Sequence, residues 1–239
     1  MAQGILPYNY EEEKTVSGMT SRAGLPIYLD LASILNLGES IAKHLHVKIQ
    51  GWTDEQVVMS VVLLNLAGGD SVDDLRILEA DEGFCKILRR IELKGLKRKE
   101  RREMERRWRK EKHRSIPSSS AVFRYLAAFH ADHAPVKGTA VIPPITTLTA
   151  LEQINADLVV AIHQRNSIDH ATLDMDATLI ETSKKDALFS YKGYKAYQPL
   201  NTYWAELGGV LHTEFRDGNV PAGYEQLRVF LHALCAPPL

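Results

Sequence analysis

Two aspartates that alternate with apolar residues in one short stretch constrain the fold of this chain more than any other feature. The stretch is LDMDAT, within the segment 167–182. In an extended strand, Leu173 and Met175 share one face, and Asp174 and Asp176 share the other. Aspartate is rare in strands, and like charges on one face resist joint ionisation unless a cation or hydrogen-bond donors lie between them. The stretch therefore predicts a buried strand that carries a site. The alternative is an aspartate that caps a strand end or binds a backbone amide.

Composition and charge are typical of a globular protein. The chain has 239 residues, of which 45% are hydrophobic and 25% charged, and this length allows one large or two smaller domains. The two cysteines, Cys85 and Cys235, are too few and too far apart for paired zinc ligands or a disulfide framework, which favours a reducing cytosol. The N-terminus lacks a basic start followed by an apolar stretch, and the longest apolar run, 57–67, is too short to cross a bilayer. We expect a soluble, unexported protein.

Helical periodicity predicts a bundle in the N-terminal half. Thr53 and Gln56 have the spacing of a capping box, and two glycines follow the helix that they begin. This helix, 53–67, is apolar nearly all round, so we expect it at the centre of the bundle. The acidic residues of 70–82 fall at helix starts and turns, and we interpret them as structural rather than as a metal cluster.

The segment 94–114 is strongly basic, although the net charge of the whole chain is only −1. It holds twelve Lys and Arg against four Glu and is compatible with a helix. One interpretation is a solvated charged helix. We favour an arm that contacts phosphates, because an excess of eight positive charges is too large for internal pairing to neutralise. The candidate contacts are the cations Lys97, Arg98, Arg101, Arg102, Arg106, Arg107 and Arg109.

A short serine-capped helix follows in the stretch IPSSSAVFRYLAAFH. Helix-turn-helix proteins place the first residues of such a helix in a DNA groove. In that interpretation Ser119, Ser120 and Arg124 are exposed DNA contacts. A plain bundle helix produces the same pattern, so both interpretations stay open.

The C-terminal half predicts mixed helix and strand. The segment 131–147 is rich in Pro, Gly and Thr and is typical of a linker. An amphipathic helix then leads into the acidic strand. The segments 190–204 and 209–215 are expected to be strands of a hairpin that turns at AELGG. A last helix, over about 223–234, carries its apolar residues on one face: Leu227, Phe230, Leu231 and Leu234.

A family resemblance joins these observations. The stretches LLNLAGGDSVDDLRILEADEGF, PSSSAVFRYLAAFH, LDMDATLIET, YKGYKAYQPLN and EFRDGNVPAG, in this order, resemble bacterial insertion-sequence transposases of the DDE type, specifically the group named after insertion sequence 1380. The resemblance covers nearly the whole chain. The expected fold class is α+β/α/β, an all-helical DNA-binding domain followed by a truncated ribonuclease-H-like domain. The expected boundaries are a flexible arm over 1–27, the helical domain over 28–130, the linker over 131–147 and the first half of the catalytic domain over 148–239.

The resemblance also implies a chemistry. Such transposases bind the inverted repeats at the ends of a mobile element and hold two Mg²⁺ ions with two Asp and one Glu, since hard cations prefer carboxylate oxygens. The first of these carboxylates maps to Asp176. Asp174 is then a neighbour that tunes metal affinity, or a further ligand. Lys192 and Lys195 are weaker candidates for DNA contact. The implied location is the bacterial cytoplasm, associated with the nucleoid, with another copy of the chain or full-length transposase as protein partner and no membrane partner.

The chain departs from the family in its acidic residues. The second Asp and the Glu of the family are expected after the last predicted helix, and this chain ends before both. Asp217, Glu214 and Glu225 do not match the family motif, and Asp217 stands in an Asp-Gly turn signal. We therefore expect a truncated, catalytically incomplete chain with weak or absent Mg²⁺ binding and an unpaired sheet edge. The alternatives are a non-catalytic DNA-binding inhibitor of transposition and, third, an unrelated metal hydrolase.

Overall fold

A computed structural model describes residues 18–94, 96–110, 114–130, 141 and 143–235, without the side chains of 107–110. Most of the predicted arm and most of the predicted linker lie outside these residues. The chain divides into two compact units, Met1–Ile34 with His46–Ala128 and Leu35–Leu45 with Phe129–Leu239. Helices and small antiparallel sheets occur together, so the fold is of mixed α+β type.

The helices and strands of the described residues have the following bounds. The helices are α1 (Leu25–Ile34), α2 (Leu37–His44), α3 (Asp54–Leu66), α4 (Leu75–Glu79), α5 (Glu82–Glu92), α6 (Arg98–Lys110), α7 (Ser119–Leu126), α8 (Thr146–Arg165) and α9 (Gln226–Cys235). The strands are β1 (Leu173–Ala177), β2 (Ile180–Glu181), β3 (Ala196–Tyr197), β4 (Leu200–Trp204) and β5 (Gly209–Glu214). All five strands belong to the second unit.

Helix α3 begins with the predicted capping box. The backbone N–H of Gln56 donates to Thr53 Oγ1 at 3.2 Å, and the backbone N–H of Thr53 donates to Gln56 Oε1 at 3.0 Å. The helix ends before Gly68, whose φ of +78° suits glycine. Its side chains Val57 and Leu63 are 1% and 2% exposed. The predicted cap is confirmed, and these two apolar side chains of α3 are buried.

The acidic residues of 70–82 have structural roles where their contacts are described. Asp81 accepts the backbone N–H of Phe84 at 2.9 Å, which caps α5, and pairs with Arg22 at 3.2 Å. Glu79 accepts the backbone N–H of Ile116 at 2.9 Å. These bonds satisfy backbone groups at helix ends and in a loop, as the sequence indicates.

The second unit contains a three-stranded antiparallel sheet in the order β1-β4-β5 and a separate pair of strands, β2 and β3. Within the described residues, no strand pairs with the outer edge of β1. The hairpin between β4 and β5 turns at Gly208, as predicted, with a φ of +72°. The expectation of one strand over 190–204 is wrong, because β3 pairs with β2 and β4 pairs with β1. Pro199 separates the two, since proline has no N–H to donate to a continuous ladder.

Helix α9 buries a different face from the predicted one. Val229 and Ala233 are fully buried, whereas Leu227 is 69% and Leu231 is 53% exposed. A polar contact accompanies this rotation: Arg228, beside Val229, forms an ion pair with Glu214 of β5. This side of α9 faces the sheet, and the leucines point away from it.

Helix α2 packs against α8 through one carboxylate. Ser40 Oγ donates to Asp157 Oδ2 at 2.7 Å, His44 Nε2 lies 2.9 Å from the same oxygen, and Lys43 Nζ lies 3.6 Å from it. The helical domain predicted over 28–130 includes α2, yet α2 lies with the second unit because of this cluster and its packing on α8.

In the part of the chain that the structure describes, no helix combines the length and the apolar character that a membrane span requires.

Replacement of Asp157 by Asn should destabilise the second unit by about 1 kcal/mol near neutral pH, because two hydrogen bonds to a carboxylate are weakened at a partly exposed site. Partial burial opposes the ionisation of Asp157, but hydrogen bonds from Ser40 and His44 outweigh it and lower its pKa. The stabilisation is therefore present above the unfolded-state pKa of about 3.9 and is lost as the pH falls through the folded-state pKa. Urea unfolding of both proteins at pH 7 and pH 3 measures this.

The exposed Asp186, replaced by Asn, serves as the matched control and should leave stability unchanged. Equal stability of the wild-type protein and the Asp157→Asn variant at pH 7 would contradict the assignment.

Candidate functional site

The predicted acidic face lies on β1 at the edge of the sheet. Asp174 and Asp176 are exposed, and the residues between and beside them are half-buried, so the alternation is confirmed. Asp174 lies opposite Tyr203 and Asp176 opposite Asn201 in the register with β4. The two carboxylates therefore share one solvent-facing side of the sheet. The strand is half-buried rather than buried, because its carboxylate face is open to solvent.

This face supplies oxygen donors of the kind that hard cations prefer. The donor set is incomplete in the described part of the chain: the group of three or more His, Cys, Asp or Glu close enough to share an ion is found elsewhere and includes neither Asp174 nor Asp176. Within the described residues, Asp174 and Asp176 therefore do not form a complete ligand set by themselves.

The other three acidic residues of this region, Glu214, Glu225 and Asp217, have partners outside β1. Glu214 pairs with buried Arg216 at 2.7 Å and also with Arg228. Glu225 pairs with the same Arg228 at 2.7 Å. The backbone of Asp217 forms an isolated β-bridge with Tyr197, and burial raises the pKa of the Asp217 carboxyl group. These contacts stabilise the turn between β5 and α9.

The basic segment forms helix α6 in the first unit, as its composition allows. The backbone N–H of Lys97 donates to Glu100 Oε2 at 2.7 Å at the start of the helix, and Arg101 Nε donates to Leu96 O at 3.0 Å. The side chains of Lys97, Arg98, Arg101, Arg102 and Arg106 are exposed. Those of Arg107 and Arg109 lie outside the described residues. Arg98, Arg102 and Arg106 follow one another at four-residue steps, so they lie along one face of α6.

Helix α7 is capped by Ser118, whose Oγ accepts the backbone N–H of Ala121 at 3.3 Å. Its inner side buries Val122 and Tyr125. Ser120 and Arg124 are exposed, while Ser119 is half-buried. The outer side of the helix is thus accessible, which both interpretations of this helix allow.

The two hairpin lysines differ in their surroundings. Lys192 is exposed, with Nζ 5.8 Å from the ring centre of Tyr191. Lys195 is half-buried, and its Nζ donates to Lys185 O at 2.7 Å. Of the two, Lys192 is the more available for an external anion.

A second cluster of ligand-type side chains, which the sequence did not reveal, lies against the sheet. Glu152 of α8, His212 of β5 and His232 of α9 bring one donor atom each to within 4.8 Å of one another. His212 Nδ1 lies 2.7 Å and His232 Nε2 lies 3.8 Å from Glu152 Oε1. The residues come from three distant parts of the chain, so no spacing motif in the sequence joins them.

A β-bulge aims His212 at this cluster. Thr202 pairs with His212 and Tyr203 pairs with Val210, which leaves Leu211 as an extra residue on β5. Leu211 and His212 are consecutive and are 5% and 7% exposed. Regular alternation would turn one of them outward, and the bulge allows both to face inward.

Burial and the neighbouring negative charges act in opposite directions on the imidazole of His212. Burial lowers the pKa of His212, and the negative charge of Glu152 opposes this only in part. The rings of His212 and His232 lie 4.6 Å apart between centres, inclined at 57°. The cluster borders a cavity of about 750 Å³ beside β5, whose lining also includes Leu148 and Phe215. It can therefore offer two imidazole nitrogens and a carboxylate oxygen next to open space.

No family model, curated protein or solved structure matches the chain. The functional assignment therefore depends on the residues of the chain itself.

Replacement of Asn155 by Ala should lower the stability of the second unit by about 1 kcal/mol. Asn155 Nδ2 donates to Val210 O at 2.9 Å and to Leu211 O at 3.0 Å, so it satisfies the carbonyls beside the bulge on the outer edge of β5. Thermal or urea unfolding measures the change. The control is Gln153→Ala, which removes an exposed amide from the same helix. Equal stability of the two variants would show that Asn155 does not support the bulge.

Proposed function

We propose that the chain is a DNA-binding protein of the DDE-type insertion-sequence transposases, in the group named after insertion sequence 1380. The observation that carries the proposal is the pair Asp174 and Asp176, exposed on one face of the edge strand β1. In this proposal Asp176 is the first metal-binding carboxylate of the family site. Asp174 is its neighbour on the same face.

The architecture of the second unit supports an incomplete ribonuclease-H-like core. A helix, the acidic strand, an antiparallel hairpin and a further helix follow one another in the order that the family resemblance implies. The acidic strand lies at an edge of the three-stranded sheet, which leaves room for the parallel neighbour that such a core requires. The small pair β2 and β3 is an addition that the sequence did not predict as a separate sheet.

The basic helix supports a DNA partner. Helix α6 exposes a row of arginines, and arginine binds phosphate with paired donors in a fixed geometry. Phosphate contacts give affinity without sequence choice, so selection of the inverted repeats requires other groups. Ser120 and Arg124 on the exposed side of α7 are the candidates for base contact in the first unit. Lys192 is a candidate for a further phosphate contact.

The metal expected at β1 is Mg²⁺, because the donors there are carboxylate oxygens. Bound Mg²⁺ would supply Lewis-acid activation of a phosphodiester and of its attacking hydroxyl. Asp174 and Asp176 alone are too few to fix a pair of ions. The proposed activity of the complete family site is DNA cleavage and strand transfer, and we expect this chain by itself to bind DNA without efficient cleavage.

The small number of carboxylates on β1 also favours a second candidate function. A chain with an exposed basic helix and an incomplete carboxylate set would occupy element ends, or assemble with full-length transposase, and inhibit transposition. Mg²⁺-dependent nicking of a bound duplex by this chain would exclude the inhibitor and would also contradict the expected incompleteness of the site.

Replacement of Arg98, Arg102 and Arg106 together by Gln should weaken DNA binding uniformly across sequences. Because each phosphate contact contributes about one unit to the slope of log K against log salt, the slope should fall by about 3. Fluorescence anisotropy measures both the affinity and the slope of log K against log salt. The duplexes are taken from the DNA on either side of the coding sequence, and the KCl concentration is varied.

A triple variant of Arg76, Lys86 and Arg90 to Gln is the matched control, since it removes three exposed cations from the same unit outside α6. It should keep the wild-type slope. The proposal is overturned if the wild-type chain binds no duplex, or if the control and the α6 variant lose affinity equally.

A further inference from the structure

We propose that Glu152, His212 and His232 form a binding site for a divalent transition metal ion of the zinc type, with an open coordination position toward the cavity beside β5. The site is separate from the carboxylates of β1 and does not depend on the proposed DNA chemistry. Two histidines and one glutamate are a ligand set that proteins use for zinc ions that retain an exchangeable ligand.

The spacing of the donors matches an ion of this size. Metal–nitrogen and metal–oxygen bonds of about 2.0–2.1 Å in a tetrahedral arrangement place ligand atoms about 3.3 Å apart. The two measured separations, 2.7 Å from Glu152 Oε1 to His212 Nδ1 and 3.8 Å from the same oxygen to His232 Nε2, lie on either side of this value. All three donor atoms lie within 4.8 Å of one another, so side-chain adjustment alone could bring them to a shared ion.

The three ligands are held by different elements that already pack together. Glu152 belongs to α8, which contacts β5, and His232 belongs to α9, which also contacts β5. The bulge at Leu211 fixes the inward direction of His212, and the ion pair between Arg228 and Glu214 joins α9 to β5. The fold therefore holds the three ligands in place before a metal binds. Flexible ligands would lose conformational entropy on binding, and these ligands lose less.

The donor types select the metal. Imidazole nitrogens suit Zn²⁺ and its transition-metal neighbours, whereas Mg²⁺ prefers an all-oxygen set and keeps several waters. The cluster of Glu152, His212 and His232 is therefore expected to prefer a transition metal ion, and the β1 carboxylates are expected to prefer Mg²⁺.

The cavity leaves one side of the bound ion open to solvent. His212 is buried, Glu152 is half-buried and His232 is exposed, so the cluster runs from the sheet to the cavity opening. Three protein ligands leave one tetrahedral position, and the adjoining volume of about 750 Å³ is large enough for water or a small anion there. A closed structural site would instead require a fourth side chain, and the described residues place no fourth His, Cys, Asp or Glu in this group.

The competing explanation is a hydrogen-bonded cluster that joins three elements without a metal. In that case Glu152 accepts from His212, and the ring of His232 only packs against that of His212 at a tilt. The two explanations differ in their response to ions, since a purely structural cluster gains nothing from Zn²⁺.

The test is isothermal titration of the chelator-treated full chain with ZnCl₂, together with thermal unfolding with and without Zn²⁺. We expect one strong site in the wild-type chain and a rise in its unfolding temperature. Glu152→Gln and His232→Ala should each weaken this site by about 100-fold or more, since even outer-shell changes cost about 10- to 100-fold. His232 is exposed and the Gln variant is isosteric, so both variants should fold; circular dichroism checks this.

His46→Ala is the matched control, because it removes an exposed imidazole of the first unit. It should leave the strong site unchanged. Co²⁺ in place of Zn²⁺ should give the visible absorption of a four-coordinate ion, and Glu152→Gln should abolish it. The proposal is overturned if the wild-type chain has no strong site, or if Glu152→Gln and His232→Ala bind Zn²⁺ as tightly as His46→Ala.

Discussion

The pairing of β4 with both of its neighbours is the interaction on which the second unit depends. Its register with β1 places Asp174 and Asp176 on the open face of the sheet. Its register with β5 contains the bulge at Leu211, which turns the following residue inward. At the end of β4, Trp204 is 1% exposed and packs with Val159 of α8 and with Leu211. One central strand therefore anchors the hydrophobic core and positions both groups of candidate ligands.

The two candidate sites differ in donor chemistry and in solvation. The pair on β1 consists of exposed carboxylates, where water competes for an ion and binding is weak unless further oxygens join. The cluster around His212 is partly buried and contains nitrogen donors, so its interactions are stronger and more selective. The basic helix of the first unit adds a third surface, which is purely electrostatic.

The features that depend only on neighbouring residues could be predicted from the sequence. The capping box of Thr53, the alternation around Asp176 and the glycine turn before β5 all follow from a few neighbouring residues, and the structure confirms them. Tertiary contacts determined the rest. The buried face of α9 accompanies the pairing of Arg228 with β5, and the split of 190–204 into two strands depends on which partner each part meets. The cluster around His212 depends on a bulge, which leaves no periodic signal in the sequence.

The most direct test of the central claim is paramagnetic broadening of backbone amide signals of the ¹⁵N-labelled chain by Mn²⁺, a substitute for Mg²⁺ that is detectable at low occupancy. In a chain whose second candidate site is disabled by Glu152→Gln and His232→Ala, the amide signals of 173–177 should broaden at the lowest Mn²⁺ concentrations if the carboxylates of β1 form part of a metal site. Replacement of Asp176 by Asn should abolish this early broadening. Signals of β1 that stay sharp while other regions broaden, or early broadening that persists in the Asp176→Asn variant, would contradict the assignment of Asp176 as a metal ligand and with it the transposase proposal.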